Sequence, residues 1–253
     1  MYMVLYKNTN TVRQRKDRQR HVLQLNIEEM PERPKFLDRT AKERRKFIET
    51  CEKVIRSSKE YRDYIKYLKE HFDMDACAIF ENVRKGNGKK YTIEIHHEPF
   101  TLFQITDTVL QKKQDCIEPI NPFTIADEVM DLHYKGYVGL IPLSKTAHEL
   151  VTNDKIFIPL QYVYQRYDLF FDQYEPFMRD YVKELIQLKV EKSMQCDMIQ
   201  SDVLDPDVTY VDIEGYSYPE VPAQWADAIA ARKEYERGTS NSDEPPKVDD
   251  GNE

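Results

Sequence analysis

Residues 93–100 read IEIHHEPF, from Ile93 to Phe100, and this stretch decides how the chain is divided. Its alternation sends Ile93 and Ile95 to one face of a strand and Thr92 and Glu94 to the other. The strand then gives way to a loop at two adjacent histidines and an acid. Only six histidines occur in the whole chain, so this pair is either a polar strand end or the start of a metal site.

Working outward toward the C-terminus, two helical segments follow, EPFTLFQITDTVLQ and NPFTIADEVMDLHY. Both begin Pro-Phe-Thr, with Thr101 to Gln104 as a capping box and Thr124 to Asp127 as an acidic variant of it. GYVGLIPLS then forms a short apolar strand interrupted by Pro142, and KTAHELV opens a helix with His148 in its first turn. Toward the N-terminus, ACAIFENV and KKYTIEIHH, joined by RKGNG, predict a β-hairpin. Before it, capping boxes at Thr40 with Glu43 and at Ser57 with Glu60 open two amphipathic helices. The run RQRKDRQRH places Arg13, Arg15, Lys16, Arg18 and Arg20 together, either as a phosphate-contacting arm or as a solvated face. KIFIPLQYVYQRY and the segment after it continue as strand or loop and then mostly helix.

At 253 residues and 40% hydrophobic composition the chain can bury a real core. No apolar run approaches the roughly 20 residues of a membrane span, and MYMVLYKNTN has neither basic leader nor cleavage site, so a soluble, cytoplasmic protein is expected. Cys51, Cys77, Cys116 and Cys196 are far apart with no CxxC, which argues against a disulfide framework or a zinc knuckle. Seven glycines and no GxSxG leave little room for nucleotide loops or a serine elbow. Net charge is −8, but the acids concentrate after Ser201 and the rest is mildly basic. The overall charge therefore says little about the ligand of the body. PAQWADAIAARKEYER is one candidate helix in the acidic segment, and GTSNSDEPPKVDDGNE reads as a disordered tail.

IEIHHEP followed by VGLIPLSKTAHELV resembles the HNH, ββα-metal or His-Me finger, endonuclease superfamily in a diverged phage-type form. The resemblance covers about residues 90–155. It implies an α+β fold in which a ββα-metal finger carries a helical insert and lies between helical segments, ahead of an acidic tail. The organisation that follows is a β/basic arm over 1–39, helices over 40–75, the finger over 76–160, helices over 161–200, and an acidic, largely extended or disordered tail over 201–253. The resemblance further implies His96 and His148 as ligands of one divalent ion (Mg, Mn, Zn or Ni), with His97 as the base that activates water for DNA hydrolysis. Two positions depart from the family pattern: its middle Asn falls on Gly139 and its last His on Thr152. Glu98, His133, Glu149 and Thr152 are the further candidates for completing the site. DNA is the implied partner, with Arg13 to Arg20 on its phosphates, and the acidic tail is a candidate contact for another phage protein. A phage protein of this kind would act in the host cytoplasm. The alternative is a degenerate finger serving DNA binding or the assembly of a virion or replication complex.

Overall fold

The computed structural model describes residues 40–79, 83, 92–195, 210–213 and 216–238. All of them belong to a unit that begins at Thr40. The basic run from Arg13 to Arg20 lies outside the described residues.

Helix α1, Ala41–Ser57, starts at Thr40, whose hydroxyl accepts from Glu43 N while the Glu43 carboxylate accepts from Thr40 N. Its inner face buries Ile48, Cys51 and Ile55. Helix α2, Lys59–His71, is capped by Ser58, one residue later than the sequence suggests. Ser58 adopts the extended backbone that a cap requires, whereas Ser57 still closes the last turn of α1.

Strand β1, Ile93–His97, is followed by α3, Leu102–Asp115, and α4, Pro122–Tyr134. Thr101 and Gln104 form the expected capping box of α3. The second helix instead starts at Asn121, whose side chain accepts from Phe123 N and Thr124 N. Asn caps better than Thr, and Pro122 at the first helical position sets the backbone angle, so the start moves upstream of Thr124. Helices α1, α3 and α4 pack together around Ile48, Ile105, Val109, Ile125 and Val129.

The chain returns through β2, Leu140–Ser144, and turns directly into α5, Lys145–Thr152, capped by Ser144. β1 and β2 are antiparallel, with Ile95 opposite Pro142 and His97 opposite Leu140. Of the expected hairpin, residues 80–82 and 84–91 lie outside the described residues; among those described, Ala78 donates to Pro142 O at 2.8 Å. The sheet and α5 enclose an apolar cluster of Cys77, Ile93, Ile141, Leu143, Ala147 and Ile158.

Helices α6, Tyr167–Tyr174, and α7, Asp180–Gln195, complete the body, and β3, Tyr210–Ile213, pairs with β4, Tyr216–Pro219. The last described helix, α8, Ala226–Arg237, ends at Gly238 in the left-handed region. This is the helix expected within PAQWADAIAARKEYER, with Trp225 and Ala228 buried and Trp225 packed edge-on against Phe157. The fold is mostly helical with small antiparallel sheets, an α+β mixture. Among the described residues no helix is long and apolar enough to cross a membrane.

Candidate functional site

Alternation along β1 separates the two histidines. Glu94 and His96 project to one side of the strand, where α5 brings His148 against them. The rings of His96 and His148 lie edge to face with centroids 4.8 Å apart, and His148 Nδ1 bonds the Glu94 carboxylate. His96 Nε2 lies 3.6 Å from Glu98, whose other oxygen is taken by Lys189 of α7. Burial of Glu98 would raise its pKa, but the Lys189 ammonium and the contact with His96 outweigh that and hold it below the usual range. Burial lowers His96, against the pull of Glu98, so the neutral imidazole is favoured.

His97 points the other way. It is 4% exposed, and its Nε2 lies 3.0 Å from Nε2 of His133 on α4. His133 Nδ1 donates to Val129 O at 2.7 Å, which leaves its Nε2 to accept the proton of His97. Tyr61 stacks parallel to His97, and Tyr61 and Tyr64 meet His133 edge-on. Burial keeps His97 well below an ordinary histidine and His133 at about 4. The pair is nearly enclosed in protein, and the two Nε2 atoms are engaged with each other. The geometry is that of a buried histidine pair.

The other candidates are scattered. His133 belongs to the buried pair, and Glu149 is exposed on α5, 3.8 Å from Lys145. Thr152 lines a cleft that also reaches His96 and Glu98. Gly139 has a packing reason: a Cβ there would lie 1.9 Å from Glu98 O, and Glu98 N donates to Gly139 O at 3.0 Å. The family's Asn cannot occupy that position on this backbone. Among the described residues no three His, Cys, Asp or Glu side chains converge as a metal site. Lys189 holds Glu98, while the bond of His148 Nδ1 to Glu94 leaves its Nε2 as the nitrogen that could face a ligand.

Comparison with known proteins supplies the family. A family model described as bacteriophage G278-like virion protein matches residues 4–216. The chain belongs to that family. No curated protein and no solved structure matches it. A phage origin is thereby established, while nothing in these comparisons points to an HNH endonuclease.

The charged groups that surround this virion-family site were not legible in the motif. Lys189 lies 91 residues from Glu98 along the chain, and Asp154, Arg232 and Glu236 join the same cleft from α5 onward and from α8. Only the helical period of α7 and α8 hinted at which of their residues face inward.

Proposed function

We propose that the protein is a structural component of the phage particle that works through assembly, with the β1–β2–α5 unit as scaffold. The carrying observation is the match of residues 4–216 to a virion-protein family. The enclosure of His97 against His133 supports the same reading, since the residue best placed in sequence to activate water is packed as core. The buried ion pair of Glu98 with Lys189 likewise ties β1 to α7 as a structural joint. Quantitative mass spectrometry of density-purified particles should find the chain at fixed stoichiometry, and phage lacking it should yield incomplete particles. Complementation by a His96→Ala, His148→Ala double variant should restore normal particles. Loss of infectivity in that variant, with the protein folded and incorporated, would contradict a purely structural role.

The nuclease reading keeps one specific observation, the juxtaposition of His96 and His148 at 4.8 Å. It requires a divalent ion, a DNA partner and a base other than the enclosed His97. Plasmid nicking across Mg²⁺, Mn²⁺, Ni²⁺ and Zn²⁺ tests it. Metal-dependent cleavage abolished by His148→Ala would favour this second reading, and no cleavage from folded protein would remove it.

A further inference from the structure

A cleft of about 150 Å³ lies among β1, α5, α7 and the segment leading into α8. Val151, Leu185, Trp225 and Ile229 supply apolar wall, and Asp154, Arg232 and Glu236 supply a polar corner. Arg232 holds both oxygens of Asp154, at 2.9 and 2.7 Å, and Lys233 reaches the same carboxylate at 2.9 Å. Asp154 thus faces two cations, with Glu236 as the second acid of that corner. Arg232 Nε nevertheless is buried without a hydrogen-bond partner. A buried guanidinium donor is unfavourable until an acceptor completes it.

Glu236 lies one turn along α8 from Arg232 and accepts from Gln104 of α3 at 3.2 Å. Burial pushes its carboxyl up to about 7, with Arg232 and Gln104 opposing, and with Glu52 of α1 and Asp154 adding to the rise. Tyr181 of α7 is a further titratable neighbour, its hydroxyl held neutral by burial and by Glu236, and His96 and the Glu98–Lys189 ion pair line the same cleft. A carboxyl that keeps its proton near neutrality can donate to an anion that its ionised form would repel.

We propose that this cleft binds a small aliphatic carboxylate, which accepts from Arg232 Nε and from the Glu236 carboxyl while its hydrocarbon lies on Trp225, Ile229 and Leu185. Cavities of this size take a molecule about as large as benzene, which limits the aliphatic part to roughly five or six carbons. A free short-chain acid and the C-terminal residue of a peptide with a branched side chain present the same chemistry. Trp225, Ile229, Arg232 and Glu236 lie beyond the matched residues 4–216, whereas Val151, Asp154 and Leu185 of the same cleft lie within them.

Trp225 is the only tryptophan of the chain, and its fluorescence reports on the cleft directly. Titration of the full chain with isovalerate at pH 6 should give a saturable change, with affinity weakening up to tenfold per pH unit above 7 as Glu236 ionises. Glu236→Gln keeps a donor, so binding should persist without that pH dependence. Arg232→Lys keeps a cation on Asp154 but has no Nε, and should weaken binding at least tenfold in protein shown by circular dichroism to be folded. A peptide ending in leucine is titrated as free acid and as amide. Tighter binding of the peptide acid identifies a chain terminus as the source, and binding of isovalerate alone identifies a free acid. No saturable change at pH 6, an equal response to the amide, or a Glu236→Gln variant with the wild-type pH profile would overturn the proposal, leaving a cleft filled by water.

Discussion

The His97–His133 pair shows how one residue's direction decides its chemistry. Both rings are neutral in the folded protein, sharing one proton across 3.0 Å, with burial lowering His97 far below and His133 to about 4. In the unfolded chain both protonate near 6.5. The folded state therefore binds fewer protons below that value, so this stability is fully present above about pH 6.5 and is lost as pH falls toward 4. Each ring contributes a slope of up to about 1.4 kcal/mol per pH unit. Urea unfolding from pH 7 to 4 should show this decline, and His97→Leu should make it shallower by removing one proton uptake; parallel slopes would refute the account. Gly139 is the second decisive residue. Its missing Cβ leaves room for Glu98 O, so Gly139→Ala should cost about 1–3 kcal/mol in chemical denaturation, through displacement of β1 from β2.

Helix boundaries are set by local chemistry, and two of the four expected capping boxes form as read. Thr40 with Glu43 and Thr101 with Gln104 form the boxes that their spacing predicts, since both partners lie within one turn. Where two residues compete for a cap, sequence alone misassigned the winner. Ser58 rather than Ser57 accepts from Tyr61 N, at 3.0 Å. Ser58→Ala should lower stability by about 1 kcal/mol, whereas Ser57→Ala should stay within about 0.5 kcal/mol. At α4, Asn121→Ala should likewise cost about 1 kcal/mol, because Asn121 Oδ1 accepts from both Phe123 N and Thr124 N. Equal effects at the two serines in thermal unfolding would contradict the observed cap. Strand pairing was less legible than helix starts. The apolar alternation of β1 specifies which face is inward, but its partner, β2, lies beyond two helices.

At the scale of the molecule, a single buried acid joins four helices. Asp107 of α3 accepts from Arg44 Nε of α1 at 2.6 Å, from Tyr235 of α8 at 3.1 Å and from Arg179, at the entry to α7, at 3.4 Å. Asp107→Ala leaves Arg44 buried and unpaired, so it should cost about 3–5 kcal/mol by denaturant unfolding and loosen α8 first. A loss below about 1 kcal/mol would mean that the network is replaceable by packing. None of this was visible in one dimension, since the partners of Asp107 lie 63 and 128 residues away. By itself the sequence determined the caps at Thr40 and Thr101, the in-and-out order of β1 and the approach of a helix bearing His148 after a second strand. These follow from caps and periodicities that act within a few residues. Only the tertiary structure decided that His97 faces His133 rather than water, that Gly139 must lack a side chain, and that Arg232 and Glu236 close a cleft beside His96. Those outcomes depend on which distant surfaces meet, and burial and long-range pairing settle that only once the chain has packed.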